Sequence, residues 1–312
     1  MTPLRLLLNS EFTGANAFIA LAQHAGLCRE AGLALDCTPG RGAYTAAPRL
    51  AAEGFDAAYG DIHALIDMAA HEPSADLPVA VYMVHQQAPS CITVAQDGGL
   101  QHPADLAGRA LVGHASDVAL RTFPAFARST GLDIGSVQVR TADAPMADLL
   151  QGLLAGDCAG VFGYLTTHTA ALAGLGLHAA QCVRFLPYRD HCSLLYGSAL
   201  MVSPRLLRDA PATVQALVQV MRAGLQAARV RPAAAIDAVL ALRPGADRAI
   251  EAARWAGTLW GDIAAPRESG VAWPAAGAVD PARLQAGIDL LADAAGWAHR
   301  PAWDRVMTQR FL

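Results

Sequence analysis

The chain has no lysine: all 23 of its basic residues are arginine. A Schiff-base lysine, a P-loop lysine and a kinase-type lysine are therefore excluded, with the chemistries they serve. Its six cysteines, Cys28, Cys37, Cys91, Cys158, Cys182 and Cys192, show neither a CxxC pair nor a Cys/His ligand spacing. They read as buried thiols, so no metal site and no cofactor is expected. Charge is also scarce. With 16% charged residues, a formal net charge of -4 and no Arg run, nothing offers a footprint for nucleic acid or an anionic membrane surface. No apolar run reaches the roughly 18 residues of a membrane span, and the opening "MTPLRLLLNSEFTG" lacks a signal-peptide core. The expectation is a cytosolic protein, or one whose leader has been removed.

What the chain does have is apolar surface: 54% hydrophobic content over 312 residues is enough for two cores of ordinary size. Strand-length apolar runs at 4 to 8, 33 to 37, 55 to 59, 78 to 84, 91 to 95, 110 to 113, 137 to 140 and 159 to 163 alternate with helical stretches at 15 to 31, 44 to 53, 62 to 72, 117 to 130 and 144 to 156. That alternation predicts an α/β fold with open sheets. After residue 204 the pattern changes to long Ala-rich helices that are expected to pack on the first lobe. Trp255, Trp260, Trp273, Trp297 and Trp303 fall in this region and read as packing anchors.

One arrangement occurs twice. "LAAEGFDAAYGDIHALI" (50 to 66) resembles "LLAGDCAGVFGYLTTHTAAL" (153 to 172): a helix, a Gly/acid turn, a short apolar strand, an aromatic-Gly step, a polar residue and a second helix. Two lobes built this way each place a polar residue at the carboxyl end of a strand, where open α/β sheets bind ligands. Tyr59 and Asp61 are then cleft candidates in the first lobe, with Tyr164 and Thr166 as their counterparts in the second.

These elements, with "AGLCREAGLALD", the small-residue turn after it, "PADLAGR" and the closing "WDRVMTQRFL", resemble type II periplasmic solute-binding proteins over nearly the whole chain. The resemblance is to the SsuA-like and NMT1-like family, which binds alkanesulfonates, nitrate-like anions and pyrimidine precursors of thiamine. It implies a type II periplasmic binding protein fold: two open-sheet α/β lobes, a ligand cleft between them and two hinge crossovers, near 85 to 90 and 187 to 193. The boundaries follow as 1–87 and 191–312 for lobe I with the C-terminal helices, and 88–190 for lobe II. Pro89 and Pro187 mark the same places from the sequence itself.

By the same resemblance the protein is a non-catalytic, periplasmic, monomeric subunit of an ABC importer that docks on permease transmembrane subunits. The alternatives are a sulfonate-, taurine- or nitrate-type anion-binding protein and an enzyme of the same fold. A pyrimidine synthase branch needs a lysine the chain lacks, and a sulfinate desulfinase branch needs a cysteine on the first turn.

Ligand contacts are expected on the strand-to-helix turns. On "NSEFTGAN", one of Ser10, Thr13 and Asn16 caps the first helix, whereas Glu11 and Phe12 are not needed for capping. "PGRGAYT" supplies Arg41 and Tyr44, and "VGHASDV" supplies His114, Ser116 and Asp117. The carboxylates Glu11, Asp61 and Asp117 against the single cation Arg41, with aromatic Phe12, Tyr44, Tyr59 and Tyr164, suit a flat nitrogen heterocycle with N–H donors. A simple sulfonate suits that lining poorly.

Overall fold

The computed structural model describes residues 1–263 and 276–312. Two five-stranded mixed sheets form the framework. The first is ordered β2 (Leu33–Thr38), β1 (Thr2–Leu7), β3 (Ala57–Asp61), β10 (Ser198–Val202), β4 (Val79–Met83). The second is ordered β7 (Gln138–Thr141), β6 (Ala110–Gly113), β8 (Gly160–Tyr164), β5 (Ser90–Ala95), β9 (Val183–Pro187). The two repeated strands, β3 and β8, thus lie in different sheets, as the doubled sequence pattern predicts.

Each sheet is parallel except for one strand. In the first sheet β10 runs antiparallel to β3 and β4, and in the second β5 runs antiparallel to β8 and β9. These are the strands that enter from the other sheet, through crossovers at 84 to 89 and 188 to 197. β9 and β10 are not anticipated from the sequence. "VRFLP" carries an arginine and a proline, and "SALMV" follows "SLLYG" with no helix between them to set it apart as a strand.

The sheets form because their strands are apolar on both faces where helices cover them. Leu4, Leu6 and Leu7 of β1 are buried, each contributing roughly 1.5–3 kcal/mol. The helices Ala17–His24, Pro211–Val230 and Pro232–Leu242 pack together over the first sheet. The later C-terminal helices depart from expectation, because they touch both lobes. The helix Arg248–Gly257 packs on Leu165–Gly174, and Pro281–Ala295 packs on Phe123–Thr130, both partners belonging to the second lobe. One apolar cluster therefore runs from Leu7, Ala58 and Met201 through to Ile92, Phe162 and Tyr188.

Trp255 is buried in this layer, Trp297 and Trp303 are half-buried against the core, and Trp260 is exposed. Trp273 lies outside the described residues. All six cysteines are free thiols; Cys28, Cys91 and Cys192 are buried and the other three half-buried. Among the described residues, no helix is long and apolar enough to cross a membrane.

Candidate functional site

A cleft of about 280 Å³ opens between the carboxyl ends of the two sheets. Its first-lobe wall begins with Asn9, Ser10 and Thr13 on the turn after β1, and with Arg41 and Gly42 on the turn after β2. The second lobe contributes His114, Ser116 and Asp117 after β6, with Tyr164 and Thr166 at the end of β8. Of the candidates named from the sequence, Ser10, Arg41, His114, Ser116, Asp117, Tyr164 and Thr166 therefore do meet there.

The structure takes the others elsewhere. Glu11 is 69% exposed and faces Arg243 at 3.7 Å. Phe12 is half-buried on the first-lobe core, and Asn16 is spent within its own turn, its side chain bridging Thr13, Asn9 and Glu11. The Tyr44 hydroxyl donates to Asp67 at 2.8 Å. Tyr59 is buried edge-on against Phe18, with its hydroxyl 3.0 Å from His85 Nε2.

Asp61 lies beneath the cleft with none of its side chain exposed. It caps the helix Ile62–His71, and its carboxylate takes the His63 backbone N–H at 3.0 Å, the His63 Nδ1–H at 2.6 Å and the Tyr164 hydroxyl at 2.7 Å. Burial pushes this carboxyl up, but the His63 ring and these hydrogen bonds outweigh it and hold it below the usual range.

The register corrects one pairing. Tyr59, Gly60 and Asp61 close β3, as Phe162, Gly163 and Tyr164 close β8, and a helix starts at the next residue in each. Tyr164 is thus the counterpart of Asp61. Both glycines are required by close approach: a Cβ on Gly60 would overlap Ala46, and one on Gly163 would overlap the His168 ring.

Sequence reasoning misses the wall built by the crossover and the C-terminal region, which supplies His85, Arg254, Thr258 and Asp262. A buried acid positions it. Glu251 is 1% exposed; its carboxylate accepts the Gly14 backbone N–H at 2.6 Å and pairs with Arg243 at 2.6 Å. This clamps the helix Arg248–Gly257 against the first turn, so that Arg254 and Thr258 face the cleft. The signal was present in the sequence: Glu251 shares helical spacing with Trp255 and Thr258, an acid on an otherwise apolar stripe.

Two carboxylates, Asp117 and Asp262, and two arginines, Arg41 and Arg254, therefore line the site, in place of three acids against one cation. Burial pushes Asp117 up to about 6, against the Ala119 N–H that it accepts as a helix cap. Burial likewise pushes Asp262 up to about 7, against its 3.1 Å pairing with Arg189. Burial lowers His85 to about 4, so its ring is neutral near pH 7. Four buried polar atoms on this wall have no hydrogen-bond partner among the described residues: Thr13 Oγ1, His85 Nδ1, Arg254 Nε and Thr258 Oγ1. Buried polar atoms are rarely left this way, and four around one cleft mark a place built to hold something polar. Among the described residues, no group of His, Cys, Asp and Glu is arranged to hold a metal ion.

Residues 14–235, more than two thirds of the chain, match the family model described as NMT1/THI5 like. The chain belongs to the NMT1/THI5-like family. No curated protein matches the sequence. Among solved structures, this NMT1/THI5-like chain is similar to the alkanesulfonate-binding protein SsuA from Xanthomonas axonopodis pv. citri bound to MOPS, at 16% identity and a TM-score of 0.72, covering 99% of this chain and 98% of that one. The periplasmic aliphatic sulphonate binding protein SsuA from Escherichia coli gives 16% identity and a TM-score of 0.68, covering 97% and 96%. The desulfurization enzyme DszB gives 16% and 0.59, covering 98% and 97%. At such identities these likenesses establish the fold, the two-lobed architecture of periplasmic binding proteins.

Proposed function

We propose that this protein is the substrate-binding component of an ABC-type importer, closing on a small molecule between its lobes and presenting it to permease transmembrane subunits. The observation that carries the reading is the convergence of four unpartnered buried polar atoms, from three separate parts of the first lobe, on one interlobe cleft. A periplasmic, monomeric protein goes with that role. So does a division into 1–87 with 191–312 and 88–190, which is supported by the crossovers lying between β4 and β5 and between β9 and β10. A binding role without catalysis is favoured over the enzymatic branches because the chain has no lysine and, among the described residues, the cleft lining includes no cysteine.

For the ligand we favour a nitrogen heterocycle, such as a pyrimidine precursor, whose N–H groups meet Asp117 and Asp262 and whose ring nitrogen or oxygen meets Arg254. Asp117 and Asp262 take over the part first expected of Glu11 and Asp61. Arg254 beside Thr13 and Thr258 also supports a second reading, in which a sulfonate or similar anion binds at the first-lobe wall.

A thermal-shift screen of aminopyrimidines, purine-like rings, alkanesulfonates and nitrate, with native mass spectrometry of the protein as purified, tests both. A ligand at about a hundredfold its Kd raises stability by roughly 2.7 kcal/mol. Stabilisation by aminopyrimidines supports the first ligand class and stabilisation by sulfonates the second. Turnover of a stabilising compound would overturn the binding role.

A further inference from the structure

Asp61 and Tyr164 hold the same position in the two lobes, the last residue of β3 and of β8, and they are bonded to each other across the lobe boundary. A carboxylate oxygen can only accept, so the hydroxyl proton of Tyr164 is committed to Asp61 Oδ2. The other oxygen, Asp61 Oδ1, receives both His63 hydrogen bonds. Asp61 is fully buried, so water does not compete for it, whereas Tyr164 lines the cleft. A bond between the two sheets exists only while the lobes are together. Separating them removes a charge-assisted hydrogen bond from a buried carboxylate.

We propose that Asp61 and Tyr164 form a latch between the lobes, and that closing the latch fixes the Tyr164 oxygen as a hydrogen-bond acceptor facing the bound molecule. His63 is the positioning residue, since its two hydrogen bonds orient the Asp61 carboxylate. The second half of the proposal rests on the cleft being the ligand site.

Beside Tyr164 on the second-lobe wall the Asp117 carboxylate accepts as well, and His114 Nε2 donates to the Ala144 carbonyl at 2.5 Å. Facing them, the first lobe supplies the donors Arg41 and Arg254. Asp262 adds a carboxylate on the first-lobe side, so the N–H groups of a ligand held by the closed latch meet the Tyr164 oxygen and Asp117 on one lobe and Asp262 on the other, while its acceptors meet Arg41 and Arg254.

The latch is tested on the ligand-free protein, so its failure is separate from any failure of the ligand reading. Nuclear magnetic resonance of tyrosine-labelled wild-type protein is expected to show a slowly exchanging, downfield hydroxyl proton that is lost in Tyr164→Phe. Small-angle scattering is expected to give a larger radius of gyration for Tyr164→Phe than for wild type. Tyr44→Phe, which loses only a bond within the first lobe, should leave both readouts unchanged. A Tyr164 hydroxyl that exchanges with water as fast as exposed tyrosines, or an unchanged radius of gyration in Tyr164→Phe, overturns the latch. The wild-type resonance experiment needs no variant to fold.

Discussion

Gly14 donates its backbone N–H to the Glu251 carboxylate at 2.6 Å, joining residues 237 positions apart. No side chain fits at Gly14, since a Cβ there would overlap the Glu251 carbonyl. Through this contact the C-terminal half of the chain becomes a wall of the cleft. Glu251→Ala should remove the partner of both Gly14 and Arg243 from a buried setting and cost about 3–5 kcal/mol. Urea denaturation checks the loss, and a drop well under 1 kcal/mol would show that the clamp is dispensable.

Arg254→Gln should separate binding from stability. The Arg254 guanidinium lines the cleft and, among the described residues, its Nε has no hydrogen-bond partner and lies 3.7 Å from the Glu251 carboxylate. The ligand-free melting temperature should stay close to wild type, while affinity for whichever compound the screen identifies should fall by about 2–5 kcal/mol. Calorimetric titration of both proteins makes the comparison, and equal affinities would remove Arg254 from the site.

Asp262 should leave a pH signature. Its folded-state value, raised by burial to about 7, lies above the unfolded value near 3.8, so the folded protein holds the extra proton between those limits. Its contribution is therefore full below about 4 and is lost as pH rises through about 7. Asp262→Asn should remove that slope, making the variant relatively more stable at pH 7.5 than at pH 4.5 by roughly 2–4 kcal/mol compared with wild type. Denaturation at the two values checks the sign, and an opposite one would mean that Arg189 dominates over burial.

Gly163→Ala should destabilise the second lobe, because the new methyl meets the ring of His168, which is fully buried with Nδ1 2.5 Å from Thr93 Oγ1. Overpacking of this kind costs about 1–3 kcal/mol. A thermal melt reports it, and the paired Gly60→Ala should behave alike, since it drives a methyl into Ala46. Unchanged melting of both would mean that the strand ends have room for a methyl group.

The sequence made the two-lobed plan legible because its cause is local: alternating strand and helix lengths, and an aromatic-Gly step where a helix must fold closely over a strand end. The turns after β1, β2 and β6 were legible for the same reason, and they brought Ser10, Arg41, His114 and Asp117 to the cleft. Charge alone misled at Glu11 and Asp61. Glu11 points to solvent and Arg243, whereas Asp61 is consumed by His63 and Tyr164, partners that only the folded register brings to it. For Arg254, Thr258 and Asp262 the helical spacing of Glu251 marked an acid on the buried stripe, but where that helix docks depends on its contact with Gly14, 237 positions away, which no local pattern encodes.

The helices Arg248–Gly257 and Pro281–Ala295, each seated on a helix of the second lobe, change what kind of motion can empty the cleft. With two crossover segments as the sole links, the lobes could swing apart about those segments with every packed surface intact. Here the pairs must also slide, and the room is small where a Cβ on Gly257 would press on the Thr166 methyl. Opening is then a shear as much as a hinge, the small sliding of packed helices that keeps their side chains interlocked. Release of a molecule from the cleft would then require those two helix pairs to slip, a step on the microsecond to millisecond scale of collective domain motion, as well as the breaking of its own contacts.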